Sequence, residues 1–156
     1  MIKLVRVDHR LLHGQVAFSW TNGLNANCIL VASDSVVNDE VWKTTLKLGK
    51  PSGVKLVIKN MEDSIKALNS GVTDKYNLII VVQTIADAKR LAEGYTEIKS
   101  INLGNTKESS VTKQISKQVF VTEEEQKIVK ELIGKGIEVE IRALVDDSKI
   151  LASKVL

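Results

Sequence analysis

Short apolar runs alternate with segments of helical spacing along the whole chain. Runs of four to eight residues that are rich in Val, Ile and Leu, and that end at polar or glycine residues, are typical of strands. This pattern predicts seven strands, at Ile2–Val7, Cys28–Ala32, Val54–Ile58, Asn77–Val82, Ile98–Leu103, Gln118–Val121 and Ile137–Leu144. The last alternates apolar and charged residues, which favours an edge position over a central one.

Capping residues indicate where the intervening helices begin and end. Asn, Thr and Ser side chains can accept from free amides at a helix start, and glycine commonly follows the last turn. The predicted helices are Gln15–Leu24 and segments from Asn38 to Gly49, Asn60 to Gly71, Thr84 to Gly94, and Thr122 to Gly134 or Gly136. A long polar loop is predicted from Gly104 to about Gln114, and the tail from Asp146 gives no clear pattern.

Strands separated by helices imply repeated βαβ units. We therefore predict an α/β fold: one doubly wound, mostly parallel, twisted sheet of about seven strands, with helices on both faces and an edge strand near the C-terminus. No Pro/Gly/Ser-rich linker interrupts the chain, so residues 1–156 are interpreted as one domain. In such sheets, ligands bind outside the carboxyl ends of the strands.

Composition narrows the classes of function. The net charge is only +3, and no basic stripe is present, so a nucleic-acid partner is not expected. The one cysteine, Cys28, lies in an apolar run and is interpreted as a buried hydrophobe. The chain opens directly on a strand, and its longest apolar run, Leu78–Val82, is far too short to cross a bilayer. These features predict a cytoplasmic protein.

The first strand is followed by a turn that contains several charged or nucleophilic side chains. Asp8, His9, Arg10 and His13 precede Gly14, where a helix begins. The free amides and positive dipole end of a helix stabilise an anion, and Arg10 offers a planar fork for phosphate oxygens. A nucleophilic histidine beside these groups suggests a phosphohistidine site at His13, with Asp8 holding Arg10 or a loop N–H in place.

Other interpretations of this turn remain open. A histidine in a polar loop is often only solvated, and Asp8 with Arg10 can be a simple loop-stabilising ion pair. His9 and His13 have chelate spacing only on a helix, and no third ligand is evident, so no metal is expected. A non-catalytic nucleotide-binding or receiver-like module would share the fold. The glycine-rich phosphate fingerprint and the acidic pair of those modules are missing.

The stretch from Asp8 to Val16 resembles a known active-site signature. Its order, Asp-His-Arg-Leu-Leu-His-Gly-Gln-Val, is similar to that of the IIB component of the mannose/fructose/sorbose family of the bacterial phosphoenolpyruvate-dependent sugar phosphotransferase system. Further similar segments are Val31–Asp34 with Asn38 and Asp39, Thr84–Ala88 with Leu91, Ile101–Gly104, and Ile115 with Ser116. Two departures are Asn105, where the family usually has a second glycine, and the missing proline after Thr84.

The resemblance implies specific roles. A IIB component accepts a phosphoryl group from a phosphohistidine on IIA and passes it to a sugar carried by the membrane IIC/IID complex, without a cofactor. By this pattern His13 is the phosphohistidine, Arg10 neutralises the phosphate, and Asp8 orients the loop, while His9 falls at a variable position.

The same pattern assigns binding residues and a location. Gly14, Gln15, Asn102 and Gly104 are expected to line the phosphate or substrate site. The chain would lie in the cytoplasm, at the inner face of the plasma membrane, through IIC and IID. A regulatory or ligand-binding α/β module without a transport role is the alternative.

Overall fold

The computed structural model describes residues 1–156 and contains nine strands. They are β1 (Ile2–Asp8), β2 (Cys28–Ala32), β3 (Lys55–Lys59), β4 (Leu78–Val82), β5 (Ser100–Asn105), β6 (Lys113–Ser116), β7 (Val119–Val121), β8 (Glu138–Ile141) and β9 (Ile150–Leu151). Seven form one sheet in the order β3-β2-β4-β1-β5-β8-β9, in which only β9 runs antiparallel to its neighbour. The predicted α/β class with a mostly parallel sheet is confirmed.

Five helices connect the strands. They are α1 (Gly14–Leu24), α2 (Glu40–Gly49), α3 (Met61–Ser70), α4 (Ile85–Gly94) and α5 (Glu123–Gly134). The predicted caps Asn60, Thr84 and Thr122 each accept from an amide in the first turn, and Thr122 forms a full capping box with Glu125.

The cap predicted at Asn38 is wrong by one residue. Val36–Asn38 form a short 3-10 turn, so the backbone of Asn38 is already committed to that turn. Asp39 has the extended backbone that a cap needs, and its carboxylate accepts from Trp42 N at 2.9 Å.

Two of the predicted strands occupy other places than expected. The segment at Gln118–Val121 forms β7, which pairs antiparallel with β6 in a separate hairpin and does not join the sheet. The segment predicted as the edge is β8, which is covered by the two-residue β9 from the C-terminal tail. The alternating charged residues predicted an exposed edge, but one of them, Glu140, is 1% exposed and belongs to a buried ion-pair network.

The sheet is covered on both faces by separate apolar clusters. One face of β1, β2 and β4 packs against α3, α4 and α5, and the other packs against α1 and α2. All five residues of β4 are buried, as its continuous apolar sequence predicts, and Cys28 is 2% exposed. None of the helices is long and apolar enough to cross a membrane.

Candidate functional site

The Asp8–Gly14 segment leaves the middle strand of the sheet at its carboxyl end. β1 lies between β4 and β5, with three strands on either side, so the loop emerges where the strand order reverses. The carbonyl of Asp8 accepts from Leu11 N at 2.9 Å and closes a tight turn. His9 N donates to the carbonyl of Asn105 at 2.9 Å and ties the turn to β5.

Two leucines anchor this loop in the core. Leu11 and Leu12 are 0% and 5% exposed and join the apolar cluster under α1 and α2. Leu11 has φ +61°, a left-handed conformation that costs a residue with a side chain about 1–2 kcal/mol. The polar residues that flank the two leucines, His9, Arg10 and His13, lie toward the surface. Backbone strain of this kind is typical of functional loops.

His13 occupies the N-cap position of α1. Its backbone is extended (φ −146°, ψ 147°), and its half-buried side chain makes no capping hydrogen bond. Ala17 N is the first helical amide with an intrahelical acceptor, the carbonyl of His13 at 3.4 Å, so the preceding amides are free to bind a ligand. No acidic residue lies in the first turn to compete for them. The imidazole therefore stands beside a helix terminus whose free amides can donate to an anion.

Gly14 and Gln15 are both exposed at this terminus. Gly14 has φ +50°, which favours glycine, although a β-carbon there would meet no atom within 4 Å. The open space beside Gly14 leaves the helix end accessible to a phosphoryl group.

Asp8 does not form the ion pair with Arg10 that the sequence left open. Its Oδ1 accepts from the backbone N of Arg10 at 3.0 Å, and its Oδ2 lies 3.1 Å from Nη2 of Arg6. Asp8 therefore accepts from a loop N–H, which is one of the two arrangements that the sequence predicts. The Arg10 side chain is exposed and forms no ion pair, which leaves its guanidinium available to an anion.

Arg6 is the site residue that sequence reasoning missed. It is 1% exposed, and its Nη1 donates to Asn102 Oδ1 at 2.9 Å and to the carbonyls of Ala143 and Arg142 at 3.0 and 3.1 Å. Burial lowers the pKa of the guanidinium, and the charge of Asp8 opposes that shift. The available signal was an arginine between Val5 and Val7 in an otherwise apolar strand, a placement that requires a partner.

The ion pair between Arg6 and Asp8 is part of a larger network under the loop, in which positive and negative charges balance. Asn102 Nδ2 donates to Glu140 Oε1 at 3.1 Å, and Glu140 pairs with Arg142 at 3.0 Å. Trp20 of α1, which is fully buried, lies near both guanidinium groups, with ring-centroid distances of 5.6 Å to Arg6 and 5.1 Å to Arg142. Two carboxylates and two guanidiniums thus join β1, β5 and β8 to α1.

Asn102 and Gly104 lie in this network and not on the open surface. The Asn102 side chain is 1% exposed, and both ends of its amide are engaged. A β-carbon at Gly104 would lie 2.0 Å from Cζ of Arg6. These contacts give both residues a supporting position beneath the loop, while their contact with phosphate stays a prediction.

His9 is the other histidine of the loop. Its backbone carbonyl accepts from Gln83 Nε2 at 3.4 Å, in addition to the amide bond to β5. Burial is the largest cause of a lowered pKa at His9, and Arg10 and Lys107 add to it. The structure contains no group of three or more His, Cys, Asp or Glu side chains that is suited to a metal ion.

Comparison with known proteins identifies relatives along the full chain. Residues 2–156 match the family model described as PTS system sorbose subfamily IIB component. A probable phosphotransferase enzyme IIB component of Streptococcus pyogenes is 34% identical over 86% of this chain and 85% of the relative. The mannose-specific EIIAB component of Escherichia coli is 34% identical over 96% of this chain, which spans only 46% of that longer relative.

A solved structure shows the same fold. The IIBSor domain of the sorbose permease from Klebsiella pneumoniae superposes with a TM-score of 0.90 at 26% identity, covering 96% of this chain and 92% of that one. Family model, relative and structure agree on one assignment. The chain belongs to the sorbose subfamily of IIB components of the phosphotransferase system, and its role is that of a sugar phosphotransferase IIB component.

Proposed function

We propose that the chain is a phosphocarrier that accepts a phosphoryl group from a phosphohistidine of IIA onto His13 and transfers it to a sugar. The observation that carries the proposal is the position of His13, whose side chain is free of capping bonds beside the unpaired amides of α1. A nucleophile and an anion-stabilising helix end are the two parts that this chemistry needs.

Each transfer exchanges one bond to phosphorus for another. In the first, a ring nitrogen of His13 attacks the phosphorus on IIA, a new P–N bond forms, and the P–N bond to the IIA histidine breaks. In the second, a sugar hydroxyl attacks, a P–O bond forms and the P–N bond to His13 breaks. The proton that the hydroxyl loses balances the one that the released imidazole of His13 takes up. Phosphoryl transfer of this kind depends mainly on positioning and on stabilisation of the equatorial oxygens.

The loop residues divide this work. The exposed guanidinium of Arg10 donates to phosphoryl oxygens, and the backbone amides of Gly14 and Gln15 donate to another oxygen. Asp8 positions Arg10 through the 3.0 Å bond to its backbone N. Arg6 fixes Asp8 from below and does not reach the surface.

The partners follow from the same role. IIA would dock over the exposed loop to bring two histidines together, and the membrane components IIC and IID would take its place in the second step. Residues 1–156 would act as one phosphotransferase domain held at the inner face of the membrane by IIC and IID. The mannose-specific relative carries the name EIIAB, which supports a working IIA–IIB pair.

The test is acceptance of labelled phosphate. The purified chain is incubated with phosphorylated IIA, and acid-labile label is mapped to a residue. We expect one label, on His13, that His13→Ala abolishes. His9→Ala is the matched control, because His9 lies in the same loop and should leave acceptance largely intact. A His13→Ala protein that still takes up the label would refute the proposal.

A further inference from the structure

A cavity of about 310 Å³ lies against β2, β3 and β4, and none of its lining residues belongs to the His13 loop. Its floor includes Cys28 and Leu78, the first residues of β2 and β4, whereas the loop follows the carboxyl end of β1. Its outer wall is the edge strand β3, which presents Lys55, Val57 and Lys59 on one face. This volume is at the lower end of the range for small-molecule sites.

The floor of the cavity is apolar and well buried. Cys28, Leu30 and Leu78 are 2%, 2% and 1% exposed. Ala67 of α3 and Val72, from the turn that follows, complete the apolar lining. A ligand that fills the space must therefore present an apolar body.

The rim has the opposite character, because it is cationic and contains no acid. Lys55, Lys59 and Lys75 line the opening, and none forms an ion pair with Asp or Glu. Lys55 Nζ donates to the Tyr76 hydroxyl at 3.1 Å. Lys55 and Lys75 each place Nζ 5.3 Å from the centroid of the Tyr76 ring. The hydrogen bond from Lys55 lowers the pKa of Tyr76, in keeping with a positive local potential.

We propose that this cavity binds a small amphipathic anion, with its carboxylate or phosphate between Lys55, Lys75 and Tyr76 and its apolar body over the floor of the cavity. Two ammonium groups and a hydroxyl form the head-group site, and Lys59 adds a third positive charge at the far end of β3. The site is separate from the phosphoryl loop and does not rest on the function proposed above.

A second copy of the chain is a poor occupant of this edge. Pairing of two β3 strands would bring Lys55 and Lys59 of each copy together, and edge lysines oppose such pairing. A small anion satisfies the same charges without that repulsion.

Octanoate is a suitable first probe, with octyl phosphate as the alternative head group and octanamide as the neutral analogue. Binding to the full chain is measured by calorimetry, and the bound position by amide chemical shifts. We expect both anions to shift the amides of Cys28, Val57 and Tyr76, and octanamide to bind at least about tenfold more weakly, since burial of the tail alone does not engage the rim. The relative affinity of the two anions identifies the preferred head group.

Two surface variants locate the head group. Lys55→Gln/Lys75→Gln should weaken octanoate binding about tenfold by removing two close charges. Lys127→Gln, an exposed lysine of α5 outside the cavity, should leave it unchanged. Ala67→Leu should weaken both anions by filling the cavity, with folding checked by circular dichroism.

Any of three binding results would overturn the inference, and so would one change in oligomeric state. Octanamide could bind as tightly as octanoate, the double lysine variant could bind normally, or the shifted amides could lie away from the cavity. Octanoate-dependent dimers with no saturable binding to the monomer would show that the lysines only protect the edge strand. Because the lysine variants change surface residues, each result is interpretable even if Ala67→Leu does not fold.

Discussion

The guanidinium of Arg6 occupies the space that a side chain at residue 104 would need. A β-carbon on Gly104 would lie 2.0 Å from Cζ of Arg6 and 2.3 Å from both of its terminal nitrogens. Arg6 cannot yield easily, because four acceptors on Asp8, Asn102, Arg142 and Ala143 hold it. The glycine is therefore required by the buried arginine and not by its own backbone conformation.

Gly104→Ala should displace Arg6 and destabilise the protein by about 3 kcal/mol, the upper part of the range for overpacking a rigid core. The displaced Arg6 would release Asp8, so phosphoryl acceptance should fall with stability. Urea unfolding and the labelling assay measure the two effects. The matched control is Gly134→Ala at the end of α5, where a β-carbon meets nothing within 4 Å, and stability should be unchanged or slightly higher. Equal stability of the two alanine variants would show that Arg6 is mobile.

Arg6→Met should cost about 3–5 kcal/mol, because it leaves the carboxylate of Asp8 buried without its partner. Arg6→Met/Asp8→Asn should regain a substantial part of this loss, since the asparagine oxygen still accepts from Arg10 N and carries no charge. Thermal and urea unfolding of the single and double variants give the coupling. Strictly additive losses would mean that the pair is not coupled.

The exposed pair between Lys66 and Glu62 provides the comparison. Its side chains are 71% and 68% exposed, and Lys66→Met should change stability by less than about 1 kcal/mol.

At Leu11, the usual order of stability of alanine and glycine variants should be reversed. Both substitutions remove a buried side chain and cost about 2–5 kcal/mol. At φ +61°, however, alanine retains the left-handed strain and glycine does not, which offsets the greater freedom of glycine in the unfolded chain. Leu11→Gly should therefore be at least as stable as Leu11→Ala.

The same pair of substitutions at Leu46, buried in the regular helix α2, should give the ordinary order, with glycine less stable by about 1 kcal/mol. The free energies of unfolding of the four variants test whether the order differs between Leu11 and Leu46. A Leu11→Gly protein clearly less stable than Leu11→Ala would exclude left-handed strain at this residue.

His9 should make stability depend on pH. Its pKa is lowered below the ordinary value of 6.5, chiefly by burial, so the unfolded chain binds a proton more readily than the folded one. The unfolding free energy contributed by His9 is then greatest above pH 6.5, declines as the pH falls through 6.5 toward the lowered pKa, and is constant below it. His9→Gln should remove this part of the pH dependence in urea titrations. Identical profiles for the two proteins would contradict the assignment.

Local signals were sufficient for most of the fold. The strand β4 was evident from five consecutive apolar residues, and α3, α4 and α5 from their caps. The strand β6 was missed because Lys113–Ser116 contains only one apolar residue, and β9 was missed because two residues are too few to form a recognisable pattern.

The site was predicted unevenly because some of its residues are neighbours in sequence and others come from distant parts of the chain. His13, Arg10 and Asp8 lie within six residues of one another, so the sequence displays them together. Arg6 contacts Asn102, 96 residues away, and the carbonyl of Ala143, 137 residues away, and only the fold reveals these partners. The charge on Glu140 was visible, but its burial was not.

The central position of β1 has a consequence for local opening. Strands flanked on both sides by other strands are among the last parts of a protein to lose protection from amide hydrogen exchange, whereas the amides of surface loops exchange quickly. Asp8 is the last residue of β1, and its carboxylate bonds the amide of Arg10. We therefore expect the Arg10 amide to exchange with solvent almost as slowly as those of β1, although its side chain is exposed. If the loop carries the phosphoryl group as we propose, it would meet successive partners with no unfolding step between them.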